Sequence, residues 1–208
     1  MEPFALITPS RDRPKMLEFC KRQVSKFTTH SYHIIVDYKP VSSSVDISER
    51  ILYGLCKAHE LGVDFVFVTE DDDHYQPDYL SRFGDVSQYD FVGCESTIYY
   101  HLGNRTWKKI DHPKRSSLFT TGFRISALKD FVFPANTPFV DIKLWEFANE
   151  TKKRIKFIKD TGAIGIKGHL EGKSGGAGHR MIMKNKDPQY KWLQQNVSKE
   201  AYEFYMTL

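Results

Sequence analysis

At 208 residues, 40 % hydrophobic and 27 % charged, the chain carries enough apolar material for a substantial core, which excludes a disordered or fibrous protein. Lysine and arginine outnumber aspartate and glutamate 30 to 26, a formal +4 with a pI near 8.8, which permits phosphate-bearing partners without demanding them. Cys20, Cys56 and Cys94 are scattered and form no CxxC pair, which argues against a disulfide framework or a zinc site.

Phe4 to Ile7 is a short apolar run suited to a buried strand, and it stops at Thr8-Pro9-Ser10. A helix is predicted next, with Pro14 in its first turn and Leu17, Cys20, Val24 and Phe27 recurring at helical spacing. His33 to Val36 reads as a second strand ending at Asp37. Asp46 with Glu49 resembles a capping pair for a helix carrying Ile51, Leu52, Leu55 and Ala58, and Gly62 is a plausible stop. Asp64 to Val68 is a third strand, with Glu70-Asp71-Asp72-Asp73 at its end.

Strands alternating with helices imply an α/β fold with a mostly parallel sheet flanked by helices. Ligands bind such sheets beyond the carboxyl ends of the strands. The polar turns 8–13, 37–39 and 70–74 are therefore expected along one edge.

The second half is less regular. Phe91 to Cys94 reads as a strand, and residues 98–100 and 106–110 as a hairpin added at the sheet edge around Gly103-Asn104. Asp141 to Thr151 is a predicted helix, and residues 155–158 and 163–166 are late strands. A glycine-rich stretch, Gly172 to Gly178, precedes a basic, aromatic tail, 184–208, expected to be mostly helical.

Three consecutive aspartates after an apolar strand repel one another and raise each other's pKa unless a cation intervenes. A hard divalent ion relieves that repulsion and also accepts phosphate oxygens, so Mg²⁺ or Mn²⁺ bridging a diphosphate suits the cluster. Taken alone an acidic turn is usually a solvated turn, and the strand-end position reverses that reading. Glycines 172–178 would let backbone N–H groups approach an anion, with Lys167, Lys173 and Arg180 offsetting its charge. The Gly-Lys-Ser at 172–174 lacks the spacing of a phosphate-binding Walker loop.

The string Val66-Phe67-Val68-Thr69-Glu70-Asp71-Asp72-Asp73-His74-Tyr75-Gln76-Pro77-Asp78-Tyr79-Leu80 resembles the strand, DxD-type motif and following "PDxL" of GT-A glycosyltransferases. Ile7 to Pro14 is similar to the opening strand and "T-x-x-R-P" loop of their inverting, family-2-like members. The likeness covers the first 80 or so residues well and the rest in outline. It implies one GT-A domain over 1–208: a nucleotide-sugar half (1–95), an acceptor-side half (96–183) and the tail. It further implies transfer of a sugar from a nucleoside-diphosphate sugar, most simply a UDP-sugar such as UDP-glucose, to an acceptor hydroxyl.

By the same resemblance Thr8, Pro9, Ser10, Arg11 and Asp37 would hold the nucleoside, and the anion that Lys167 and Arg180 offset would be its diphosphate. The metal would sit on Asp71, Asp72 and Asp73 with His169, or alternatively His179. The register of the motif stays open: its letters select Asp71 and Asp73, whereas alignment on Pro77-Asp78 selects Asp72 and puts Asp71 near the ribose. Asp141 stands where such enzymes carry the general base, a position equally suited to a helix N-cap. Thr120 to Arg124 resembles the segment under the acceptor. Tyr75, Tyr99, Tyr100, His101 and Trp107 offer an aromatic floor or ordinary packing.

The acceptor would be a saccharide or a hydroxymethylated pyrimidine in phage DNA. With no basic-then-apolar leader and no apolar run near the ~20 residues that span a bilayer, a cytoplasmic location is expected, the host cytoplasm for a phage protein. The competing classes are a nucleotidyltransferase, disfavoured by the absence of glycine after the first strand, a non-catalytic module of the same fold, and a metal-dependent nuclease.

Overall fold

A computed structural model describes residues 3–29, 31–39, 45–169, 179 and 183–208. The first strand, β1 (Phe4–Pro9), lies between β2 (Ser31–Val36) and β3 (Phe65–Val68), all three parallel. β5 (Phe91–Cys94), β8 (Thr121–Arg124) and β9 (Ile155–Ile158) complete a six-stranded sheet in the order β2-β1-β3-β8-β5-β9, with β8 alone antiparallel to its neighbours.

Strand alternation sends Ala5 and Ile7 to one face and Phe4 and Leu6 to the other. The first face packs on Ile51 and Leu55 of α2 (Ile47–Glu60) and on Leu144 and Trp145 of α3 (Val140–Glu150). Gly54 lets α2 approach: a Cβ there would stand 2.4 Å from the Ile7 side chain. The second face packs on Tyr75, Tyr79 and Phe83, with Val24 of α1 (Pro14–Val24) at its margin.

The hairpin is not an edge addition to this sheet. The chain changes sheets at Glu95, whose N–H donates to Ile158 O while its carbonyl accepts from His112 N. β6 (Ser96–His101) and β7 (Thr106–Asp111) then form a second sheet with β10 (Ala163–Lys167) and the two-residue strands β4 (His74–Tyr75) and β11 (Asn185–Lys186), in the order β11-β7-β6-β10-β4. Tyr100 and Trp107, candidates for an acceptor floor, instead stack on Trp192 of α4 (Lys191–Asn196), and α5 (Lys199–Tyr205) closes the same core.

Pro14 opens α1 as predicted, and Gly62 follows the end of α2 at φ +71°. The expected capping pair is not made. Asp46 is the N-cap of α2 but its side chain caps nothing; it faces Arg50 at 2.9 Å and Arg11 at 3.4 Å. Arg50, 2 % exposed, also donates to the carbonyls of Ser10 (2.5 Å), Val36 (3.1 Å) and Tyr38 (3.0 Å). One buried guanidinium thus ties the loop after β1 to the loop after β2. Arg50→Met takes the guanidinium from Ser10 O and Tyr38 O, and removes one of two partners from Val36 O, which keeps Ser10 N, and from Asp46, which keeps Arg11. It is expected to cost about 3–5 kcal/mol, read as a lowered denaturant midpoint at unchanged m-value; a loss under ~1 kcal/mol would show that water replaces the guanidinium freely.

Candidate active site

The loop 69–75 leaves β3 and is held from three sides. Tyr75 Oη accepts from Glu70 N at 2.7 Å. The Gln23 amide of α1 donates to Asp73 O (3.0 Å) and accepts from Tyr75 N (2.9 Å) and, with a matching tautomer, from His74 Nδ1 (2.9 Å). Thr69 Oγ1 meets Thr8 Oγ1 at 2.6 Å. Gln23 and Arg50 escaped sequence reasoning, because a glutamine or arginine inside an amphipathic helix pattern looks like its solvent face.

So held, three aspartates are buried together, Asp72 3 % exposed and Asp71 and Asp73 0 %. Arg13, the N-cap of α1, lies 2.7 Å from Asp71 Oδ1 and 3.0 Å from Asp72 Oδ2. Lys167 at the end of β10 reaches Asp73 Oδ1 (3.1 Å), Glu70 (3.4 Å) and Asp72 (3.7 Å), and Ile166 N donates to Asp73 Oδ1 at 2.8 Å. His169 Nε2 lies 3.0 Å and His179 Nε2 3.7 Å from Asp72 Oδ2. Four carboxylates against two cations leave two negative charges in excess.

The titration reflects that excess. Burial pushes Asp71 up to about 7 against the pull of Arg13. Burial, with Asp72 and Glu70 beside it, pushes Asp73 well above the carboxylate range despite Lys167. Asp72 is buried too, yet Lys167, Arg13 and His169 together hold it well below that range. Among the described residues Asp72 Oδ1 and Asp73 Oδ2 have no hydrogen-bond partner.

Two groups of potential ligands have their donor atoms within 4.8 Å of one another: Asp72, His169 and His179, and Glu70, Asp72 and Asp73. Asp72 is common to both. A divalent cation fits the charge, the orphaned oxygens and the donor set. The two histidines differ as ligands. His179 Nδ1 accepts from Gly168 N at 3.1 Å, which places its proton on Nε2, the atom facing Asp72. His169 Nδ1 has no partner among the described residues, so its proton can sit there and free Nε2 for a metal.

Ser10 and Pro9 are buried at the end of β1, and Ser10 N donates to Val36 O at 3.0 Å. Thr8 spends its hydroxyl within the sheet, on Thr69 and on His33 at 2.8 Å. Arg11 pairs with Asp46, and Asp37 is exposed at the end of β2. The three polar turns do lie along one edge, joined by Arg50 and Arg13. Arg180, Lys173 and the glycines of 172–178 lie outside the described residues.

Asp141 sits in the first turn of α3, one residue past Val140, and Phe139 rather than Asp141 is the N-cap. Its carboxylate lies 3.3 Å from Arg115, and burial pushes it up to about 6 against that charge. A cleft of about 260 Å³ joins it to the cluster, with Glu70 and Lys167 among the lining residues and Tyr99, Arg115, Ser117 and Phe119 among the others. Thr120 to Arg124 is not that lining: Thr121 Oγ1 accepts from Trp145 Nε1 at 3.1 Å inside the sheet, and the residues facing the cleft are Ser117 to Phe119 just before it. Of the proposed aromatic floor, Tyr99 alone lines the cleft, and Tyr75 is buried beneath the loop.

No protein-family model and no curated protein matches the chain. Solved structures do. TarS 1–349 from S. aureus in complex with UDP-GlcNAc superposes with a TM-score of 0.60 over 88 % of this chain, at 14 % identity. The catalytic domain of Drosophila beta1,4galactosyltransferase 7 complexed with xylobiose gives 0.51 over 76 % of this chain and 65 % of its own, at 15 % identity. The mannosyltransferase PcManGT from Pyrobaculum calidifontis, in complex with GDP-Man and Mn²⁺, gives 0.50 over 97 % and 70 %, at 13 % identity. The chain therefore has the GT-A glycosyltransferase fold. It spans 62 % of the TarS structure's length, and identities this low show a shared fold rather than shared substrates. Among the described residues no helix is long and apolar enough to cross a membrane.

Proposed function

We propose that the chain is a metal-dependent, inverting glycosyltransferase that moves a sugar from a nucleoside-diphosphate sugar to an acceptor hydroxyl. One observation carries this reading: the cleft that holds Asp141 reaches Glu70 and Lys167 of a buried, charge-unbalanced carboxylate cluster at the end of a parallel strand. Asp72 and His169 are the metal's principal ligands in this reading, with Glu70, Asp73 and Asp71 around them. Imidazole in the set favours Mn²⁺ over Mg²⁺. The metal, when bound, neutralises charge on the departing diphosphate.

The protein's own groups do the rest. The turn Thr8-Pro9-Ser10-Arg11 and Asp37 receive the nucleoside, with Asp71 toward the ribose. Lys167 and Arg180 balance the diphosphate. Asp141 takes the proton of the acceptor hydroxyl as its oxygen bonds to the anomeric carbon, the bond from that carbon to the diphosphate oxygen breaks, and the nucleoside diphosphate leaves. At about 6, Asp141 is ionised at neutral pH and still basic enough to be useful. A UDP-sugar is the expected donor. A saccharide suits the small cleft with Ile110, Phe119 and Phe139 on its walls better than a hydroxymethylated base carried on a duplex.

The test is a thermal-shift screen of nucleoside diphosphates and nucleotide sugars with and without Mn²⁺. One nucleotide should raise Tm in a Mn²⁺-dependent way, since a ligand at 100 times its Kd stabilises by about 2.7 kcal/mol. No shift with any nucleotide, from a folded sample, would leave a non-catalytic module of this fold.

A further inference from the structure

The cleft around Asp141 carries more positive charge than the transfer step needs. Alternation along β7 turns Lys108 and Ile110 into it, while Trp107 stacks on Trp192 and Lys109 lines a separate cavity behind the sheet. His112 and Arg115 follow β7 and line the same cleft. The Arg115 side chain is 34 % exposed, and its one ion pair with a described residue is to Asp141.

His112 is 4 % exposed. Its Nε2 meets Thr97 Oγ1 at 2.7 Å and Ser117 Oγ at 3.1 Å, and Nδ1 has no partner among the described residues. Burial and the nearby Arg115 push it down to about 4, so the ring is neutral. With Nε2 accepting from those hydroxyls, Nδ1–H is left as a buried donor. Of the other charged groups on the cleft, Lys167 and Glu70 are engaged with each other in the carboxylate cluster.

We infer that the acceptor is a saccharide bearing an anionic group, phosphate or carboxylate, seated on Arg115, Lys108 and His112, and that this group draws Arg115 away from Asp141. The inference rests on the glycosyltransferase reading and names its acceptor class. A guanidinium at 3.3 Å stabilises the ionised form of Asp141 and so weakens it as a base. Arg115 has five donors in a planar fork, and an incoming anion offers them a second, mobile partner. Acceptor charge is thereby coupled to release of the base, and a neutral sugar leaves the Arg115–Asp141 pair in place. Ile110, Phe119 and the half-exposed ring of Phe139 give the sugar an apolar wall.

The experiment uses the full chain saturated with Mn²⁺ and the nucleoside diphosphate that gives the largest thermal shift, so that the donor subsite is filled. Glucose 6-phosphate, glucuronate, glucose and a short DNA duplex are then titrated by calorimetry into wild type, Arg115→Gln, Arg115→Lys and Lys108→Gln. The anionic sugars should bind at least about 10-fold tighter than glucose, the size of one charge-assisted contact. Arg115→Gln should erase that preference, Arg115→Lys should keep part of it, and Lys108→Gln should reduce it. The better of phosphate and carboxylate identifies the group. Equal binding of charged and neutral sugars, or a preference that survives both glutamine variants, would overturn the inference, and so would a duplex binding more tightly than every sugar. Failure of every nucleoside diphosphate to bind is seen beforehand in the thermal shift; it defeats the glycosyltransferase reading and this inference with it. Circular dichroism checks that each variant folds, as expected for side chains on a cleft rim.

Discussion

Asp72→Asn is expected to lower sugar transfer by about 10²- to 10⁴-fold, the several kcal/mol that a metal contributes at a leaving group. It should also remove the Mn²⁺-dependent part of donor binding. Asp72 is common to both ligand groups, and its Oδ1 has no partner among the described residues. Its neighbours hold it well below the usual carboxylate range, so it meets a cation already ionised. Asp73 also keeps one oxygen without a partner among the described residues, but it belongs to one ligand group rather than both, and burial beside Asp72 and Glu70 pushes its carboxyl well above the usual range, so a cation must displace a proton to use it. Asp73→Asn should therefore weaken Mn²⁺ binding by about 10- to 100-fold, as loss of a supporting residue does, without removing it. Titration of Mn²⁺ by thermal shift separates the two variants. Equal losses would mean that the register of the motif had been misassigned to Asp72.

Asp141→Asn should cut turnover by about 10²- to 10⁴-fold, the usual contribution of a positioned general base, with donor affinity unchanged. A base works ionised. With Asp141 pushed up to about 6 in the free enzyme, wild-type kcat/KM should rise through that pH and level off above it, and the variant should lose the limb.

Stability should move the opposite way. A carboxyl raised above its unfolded value contributes stability that is complete below the unfolded pKa and is lost as pH rises through the folded one. Removing the charge should therefore stabilise the protein at pH 8, by up to about 2–3 kcal/mol. A variant that is inactive and also less stable would point to a structural role for Asp141 beside Arg115. An unchanged pH limb would remove it from the reaction.

Local signals survived folding. The apolar runs of β1, β3 and β5, the proline at the start of α1 and the glycine after α2 are set by neighbours in the chain, and each element stands where its pattern put it. The alternation of strand and helix sufficed for a mostly parallel sheet, and the strand-end position of the aspartates for their place at its edge.

What depended on distant partners was not legible. Asp46 looked like a helix cap and became the counter-ion of Arg50, because a buried guanidinium offers a carboxylate more than two backbone N–H groups do. The hairpin looked like an edge and belongs to a second sheet, since β6 pairs with β10 more than 60 residues later.

The same distinction runs through the site. A carboxylate cluster is visible as letters, but nothing in Glu70-Asp71-Asp72-Asp73 says which oxygen is free. That was settled by Arg13 from α1, by Lys167 and His169 from the end of β10, and by Gln23 gripping the loop from behind. The chain's own pattern determines the elements, because periodicity and turn chemistry act over a few residues. The tertiary structure alone decides which carboxylate oxygens are paired and which are left without a partner, because charges separated by about a hundred residues interact only once burial has brought them within a few ångströms and removed the water between them.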